Sequence, residues 1–356
     1  MKILVDIGHP AHVHLFKNFI WNMEKKGHEI LITAKDKDVT IELLDNYGFK
    51  YEIVGKYGKS TLSKIKDMIS IDYKMYKIAK KFRPDILTGV SAVNAAHVSA
   101  LLRKPCVVFD DTEHSSLEHK LYVPFASAIC TPSCFKKDLG KKQIRFNGFK
   151  ELAYLHPNYF KPNSAILDEL NLSKDDKFII VRFISWQATH DIGYKGMNLE
   201  SKIRLVKEME KYGKVFITSE SKLEKDFEKY RITISPEKLH DLLYYATLYI
   251  GEGGTTSTEA AILGTPSILI DSQAKFCGVH NELMNTYGLQ LYYDSDKKED
   301  AFKKAIEILE NKNSKKDWQI KREKMLKDKI DVTKFMVDFI ENYPEGLYEY
   351  KCNYLK

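Results

Sequence analysis

Cysteine is scarce in this chain: the 356 residues hold five, an odd number thinly spread. That argues against a disulfide framework and fits a reducing compartment. Cys130 and Cys134 lie four apart with no second pair, which gives no zinc-site spacing. No apolar run approaches the ~18–20 residues that a membrane helix needs, and low-complexity tracts are missing too. The opening MKILVDIGHP enters a strand directly, so no secretory leader and a cytoplasmic location are expected. There is no G-x-G-x-x-G fingerprint and no Walker A segment, which leaves NAD and ATP without a motif. H-E-x-x-H spacing is absent, and His12 and His14, two apart at a helix start, point in different directions, so neither metal nor cofactor is expected. A strong charge of one sign is lacking as well. The net charge is +7, and the lysine-rich stretches 56–81 and 312–329 are interleaved with acids, as on solvated helix faces. With no nucleic-acid motif either, nucleic acid is not expected as a partner.

What is present is a long alternation of strand and helix. Short apolar runs at 2–7, 29–33, 51–54, 85–89, 106–109, 127–131 and 143–146 read as strands. Between them fall a helix with Val13, Phe16, Ile20 and Met23 on one face, and further helices around 39–46, 62–82, 91–102 and 133–139. The second half repeats the scheme, with strands at 177–183, 215–218, 232–234, 246–250 and 267–270. Helices are expected there at 199–212, 220–229, 236–245, 255–263, 300–310 and 314–330, with a last amphipathic one from 331. Such alternation specifies parallel sheets covered on both faces. The length suits two domains. The expected fold is α/β, two Rossmann-like, doubly wound parallel-sheet domains facing a cleft, at 1–155 and 165–330, with the segment 331–356 packing back onto the first. The Pro- and Asn-bearing stretch 147–164 reads as the linker.

The strongest single signal is GEGGTTSTEAAILGTPSILI at 251–270. Gly251, Gly253 and Gly254 follow a buried strand and let backbone approach a ligand without a Cβ in the way. A helix opening right after them presents free N–H groups and its positive dipole end, which suits a phosphate. The plainer reading is a capped helix, with Glu259 bonding back to the cap in a Thr256-Ser257-Thr258-Glu259 capping box.

Ligands on parallel sheets sit at the carboxyl ends of the strands, and polar residues gather there in the first half: Gly8, His9, Pro10 and His12, then Ser91 and Asn94, then Asp110, Asp111, Glu113 and His114. His12 is a candidate base or positioning group because imidazole titrates near working pH; a helix-start role is its alternative. Asp110 and Asp111 either function or cap the next helix. In the second half Arg182 ends a strand, placed for a phosphate or simply for the surface. The loop that follows is rich in Trp186, Gln187, His190, Asp191, Gly193 and Gly196, a content more often functional than connecting. Gln273 lies after the 267–270 strand, on the edge that the glycines occupy. The basic helix at 62–82 carries Ile65, Met68, Ile69, Tyr73 and Tyr76, read as facing the protein's own core, with an anionic membrane surface as the alternative.

These motifs resemble the GT-B superfamily. The 236–270 stretch resembles the nucleotide-sugar site of the peptidoglycan N-acetylglucosaminyltransferases and of the non-hydrolysing UDP-N-acetylglucosamine 2-epimerases. IGHPAHVHLFKNF is similar to the glycine-histidine first loop of the transferase branch, with Pro10 and Ala11 where glycines are usual. HPAHVHLFKN, NGFKELAYLHP and TSTEAAILGTP look closest to an archaeal and bacterial family of uncharacterised GT-B-like proteins. The resemblance implies a metal-independent glycosyltransferase with a UDP-sugar donor and an unknown, possibly lipid-linked, acceptor. Gly253, Gly254, Thr255 and Thr256 would hold the diphosphate, Arg182 would add charge there, Glu259 would bind the ribose hydroxyls and Gln273 the donor sugar. His12 would act as base or positioning group, with Asp110 or Glu113 in reserve. A 2-epimerase and a non-catalytic nucleotide-sugar binder are the alternatives; DSQAKFCGVHNE lacks the arginine-rich, glutamate-containing segment of the epimerases.

Overall fold

In a computed structural model, residues 1–58, 61–184, 196–219 and 223–347 are described. Trp186, Gln187, His190, Asp191 and Gly193 lie outside the described residues, as do 220–222 of the helix expected at 220–229. The chain forms two compact units, Met1–Tyr159 with Ile330–Lys356, and Phe160–Lys329.

Unit one runs β1 (Lys2–Ile7), α1 (Pro10–Lys25), β2 (Glu29–Lys35), α2 (Thr40–Asn46), β3 (Tyr51–Gly55), α3 (Thr61–Phe82), β4 (Ile86–Val90) and α4 (Val93–Leu102). It continues through β5 (Cys106–Phe109), α5 (Ser116–Tyr122), β6 (Ala128–Pro132), β7 (Gln143–Phe146) and α6 (Leu152–Leu155). The seven strands are parallel in the order β3-β2-β1-β4-β5-β6-β7. Ile3, Leu4, Val5 and Ile7 of the central strand are fully buried, each contributing ~1.5–3 kcal/mol of transfer free energy. The order reverses between β1 and β4, so their carboxyl ends flank the unit's topological switch point.

Unit two comprises α7 (Ala165–Glu169), β8 (Phe178–Phe183), α8 (Leu199–Met209), β9 (Lys214–Ser219), α9 (Leu239–Tyr245), β10 (Leu248–Gly251), α10 (Gly254–Ile262), β11 (Ser267–Ile270), α11 (Gly278–Glu282), β12 (Gln290–Tyr293), α12 (Lys298–Glu310) and α13 (Ser314–Asp328). Its parallel sheet has the order β12-β11-β10-β8-β9 and reverses between β8 and β10. The carbonyls that end α10 are collected by α13: Arg322 Nε donates to Ile262 O at 2.9 Å and Gln319 Nε2 to Leu263 O at 3.0 Å. Gly264, at φ +74°, turns the chain out of the helix.

Helix α14 (Val332–Glu341) returns to unit one. Phe335 stacks on Phe146 at 5.0 Å, and Thr333 Oγ1 donates to Ala153 O at 2.6 Å, which Asn18 Nδ2 also reaches at 2.8 Å. Residues 147–159 are therefore part of this core. Leu152, Ala153, Tyr154 and Leu155 are all buried, which corrects the linker reading of that stretch.

The two parallel sheets follow the expected fold class, while several elements differ. No helix forms at 133–139. The carbonyls there turn to Arg145, which donates to Phe135 O and to Lys137 O, and Gln143 Oε1 takes the Leu139 N–H. In place of a 232–234 strand there is a single bridge, Ile217 to Arg231, before Pro236 starts a helical turn. The 220–229 helix is, in its described part, a 3-10 turn at Lys225–Tyr230. Strand β12 and helix α5 had no sequence expectation. Helix α3 exposes Ile65, Ile69 and Tyr73, against the expectation that they face the core.

Candidate functional site

In unit two, β8 and β10 meet at the switch point in register, Arg182 opposite Gly251. A Cβ on Gly251 would come 2.4 Å from Arg182 O, so this glycine serves strand approach. A Cβ on Gly253 would come 2.5 Å from Arg182 Cδ and 2.7 Å from its Nε. The arginine side chain thus lies across Gly253, with its guanidinium donating to Thr218 Oγ1.

Helix α10 starts at Gly254, with Gly253 as N-cap and no side-chain cap bond. The capping box is not formed. Glu259 instead takes a hydrogen bond with His240 Nε2 at 3.0 Å, both residues buried. The first turn-closing bond is Ser257 N to Gly253 O at 3.0 Å. The amides of Gly254, Thr255 and Thr256 therefore precede the helix ladder, as the first N–H groups of any α-helix do. Gly254 and Thr255 are half-exposed, Thr256 is buried. The turn is braced from behind: Tyr249 OH donates to Gly253 O at 3.0 Å, and burial holds that phenol far above its usual range.

Glu252, between the glycines, is buried and accepts the N–H groups of Ile184 at 3.3 Å and Met197 at 2.6 Å, with Lys202 Nζ at 3.6 Å. Gln273 is buried in the turn after β11, its own amide donating to Asp271 Oδ1 at 2.8 Å. Behind the helix start, His280 Nδ1 donates to Gln290 Oε1 at 2.9 Å, and Gln290 Nε2 donates to Ser257 Oγ at 2.7 Å. Ring atom Nε2 of His280 lies 3.3 Å from where a Gly254 Cβ would be.

In unit one, His9 caps α1, its Nδ1 accepting the Ala11 N–H at 3.2 Å, with Pro10 in the first turn. His12 Nδ1 accepts the Gly8 N–H at 3.3 Å. A backbone amide can only donate, so the neutral ring carries its proton on Nε2. Burial, then the charges of His9, Lys35, Lys150 and Lys37, hold this imidazole well below the usual histidine range. His12 is therefore a neutral N–H donor here, which fits the positioning half of the expected role.

Lys35 ends β2, forms a buried 2.9 Å pair with Asp6 and lies beside Gly8. Lys150 pairs with Asp111 and, at 3.4 Å, with Glu151. Asp110 and Asp111 do not cap α5, whose N-cap is Ser115. Asp110 accepts the Tyr122 hydroxyl at 2.5 Å, His119 Nε2 at 3.0 Å and the Thr112 N–H at 2.9 Å. Its side chain is fully enclosed. Glu113 is buried too and takes the Lys136 N–H at 3.1 Å. The described residues contain no cluster of metal-ligating side chains, and no described helix is long and apolar enough to cross a membrane.

The model of one family, described as protein of unknown function DUF354, matches residues 1–345. The chain belongs to the DUF354 family. An uncharacterized protein of Methanocaldococcus jannaschii is 26% identical to this DUF354 chain over 75% of its length and 81% of the relative's. A UDP-N-acetylglucosamine–N-acetylmuramyl-(pentapeptide) pyrophosphoryl-undecaprenol N-acetylglucosamine transferase of Desulfotalea psychrophila is 25% identical over 32% of this chain and 35% of its own. Among solved structures, S. aureus MnaA with UDP superposes with TM-score 0.69, 14% identity and 96% of both chains. A spinosyn rhamnosyltransferase complexed with thymidine diphosphate gives 0.61, 15% identity, 96% of this chain and 100% of that one. These similarities make the DUF354 fold GT-B-like.

Sequence reading missed Glu252, His240, His280, Lys35, Lys150 and His119. A charged residue inside a glycine turn was a visible signal for Glu252. The others have no motif, because their partners lie between 9 and 39 residues away.

Proposed function

We propose that this chain transfers a glycosyl group from a nucleoside diphosphate sugar, most simply a UDP-sugar, to a hydroxyl acceptor. One observation carries the reading: at the switch point of unit two, the Arg182 side chain and the uncapped start of α10 converge on Gly253. A leaving diphosphate develops negative charge, and fixed amides plus a guanidinium stabilise it without reorganising. The amides of Gly254, Thr255 and Thr256 take the phosphates, Gln273 the sugar, and Glu259 the ribose hydroxyls with one oxygen while His240 steadies the other. As the acceptor oxygen bonds the anomeric carbon, the bond from that carbon to the diphosphate breaks and the hydroxyl proton passes to the departing diphosphate; in unit one His12 positions the hydroxyl through its Nε2 proton, beside Lys35 and Lys150.

A thermal-shift screen of nucleotides and nucleotide sugars tests the donor: a bound ligand raises the melting temperature by mass action. UDP-N-acetylglucosamine incubated alone then separates transfer from isomerisation. A 2-epimer, or UDP released without acceptor, overturns the transferase reading. Nucleotide binding with no turnover across donors and acceptors favours a binding protein.

A further inference from the structure

Helix α3 has two apolar stripes where a surface helix needs one. Ile71, Met75 and Ala79 recur every four residues and are buried in the unit-one core. Ile65, Ile69 and Tyr73 recur with the same spacing but two residues out of step, which places Ile69 and Tyr73 about 160° around the helix from Ile71 and Met75 respectively. They are 50%, 61% and 59% exposed. Their direction is thus away from the core.

Neighbouring elements carry exposed apolar side chains as well. Asp72 holds His97 of α4 at 2.8 Å, and the Phe125 ring meets that histidine edge-on at 5.1 Å. Phe125 is 45% exposed, and Leu101, one turn beyond His97, is 67% exposed.

Charge around the patch is sorted. Both acids of the helix turn inward: Asp67 takes the Gly58 N–H at 2.8 Å, and Asp72 takes Asn94 Nδ2 at 2.7 Å as well as His97. Lys66, Lys74, Lys77, Lys80 and Lys81 are all exposed. Lys77 rests over the Tyr73 ring at 4.4 Å, its stem along the patch and its charge at the edge.

We propose that this face of α3, with Leu101 and Phe125, docks on a bilayer that carries anionic headgroups. Apolar side chains enter the headgroup boundary while lysines meet lipid phosphates, the two contributions that interfacial helices combine. A second copy brings the same positive charge to the same face, so self-pairing there is opposed by repulsion. The docking goes beyond the donor-site reading and does not depend on it.

Flotation of the purified chain with vesicles of phosphatidylcholine, pure or mixed with phosphatidylglycerol, tests it. Binding is expected on the mixed vesicles only and is weakened by salt. Ile65→Ser with Ile69→Ser, and separately Lys74→Glu with Lys77→Glu, each lower the partition about tenfold or more, with unchanged melting temperature and nucleotide shifts. No partition of the wild type overturns the proposal, as does partition that neither pair of substitutions alters. A concentration-dependent dimer that Ile69→Ser dissolves overturns it in favour of self-association.

Discussion

The side chain of Arg182 lies across the backbone of Gly253, so close that a Cβ on the glycine would come 2.5 Å from the arginine Cδ. At φ −83° and ψ 105° the Gly253 backbone suits alanine as well as glycine. Any damage from Gly253→Ala therefore arises from displacing Arg182. Nucleotide affinity is expected to fall about ten- to hundredfold, or about 1.5–3 kcal/mol, with a melting temperature close to wild type. Arg182→Ala should lose a similar amount, and the double variant little more than either single one, since both remove one contact. Calorimetric titration of the three variants checks this; fully additive losses sink it.

His240 and Glu259 form a buried pair at 3.0 Å between α9 and α10. Glu259→Ala leaves the imidazole without that carboxylate and is expected to destabilise unit two by about 3 kcal/mol. Glu259→Gln keeps the shape and an acceptor. If one carboxylate oxygen also reads the ribose, wild type prefers UDP to its 2′-deoxy form and Glu259→Gln loses that preference. Equal affinities of wild type for the two nucleotides restrict Glu259 to a structural role.

The neutral imidazole of His12 donates from Nε2 while Nδ1 takes the Gly8 amide at 3.3 Å. Its ionisation lies well below the usual histidine range, chiefly through burial, so transfer should show no His12 limb near neutral pH. His12→Gln keeps an N–H donor and should retain part of the turnover, whereas His12→Ala should drop it about a hundredfold. A wild-type acidic limb near the ordinary histidine value that His12→Gln abolishes would restore the base reading.

Both ring nitrogens of His97 donate, to Asp72 Oδ2 at 2.8 Å and to Leu121 O at 3.1 Å, which describes an imidazolium. The bond to Asp72 raises its pKa above the usual 6.5. A raised folded value means that this stabilisation is complete below 6.5 and is lost as pH rises through the raised value. The melting temperature of wild type should therefore fall across that window relative to His97→Gln. Parallel melting curves for the two proteins through the window contradict the assignment.

Much of the fold was legible because parallel strands buried on both faces, such as KILVDI and KFIIVRF, are short unbroken apolar runs that local sequence displays. The glycine turn between β10 and α10 was equally visible, since glycines followed by hydroxyl residues and a helix-forming run are a local pattern. Where local pattern met a distant partner, the partner won. The carbonyls at 133–139 went to Arg145, and Glu259 left its capping box for His240 across 19 residues. The stretch 147–159, with its proline and asparagines, looked like a connector until Asn18 and Thr333 both reached Ala153 O.

By itself the sequence determined most of the strands and helices, the two parallel sheets and the place of the glycine turn, because periodicity and turn residues act over a few positions. Only the tertiary structure decided which glycine makes room for Arg182, which nitrogen of His12 holds the proton, and that one stripe of α3 faces solvent. Each of those depends on what another part of the chain brings within about 4 Å, and spacing along the chain does not encode that.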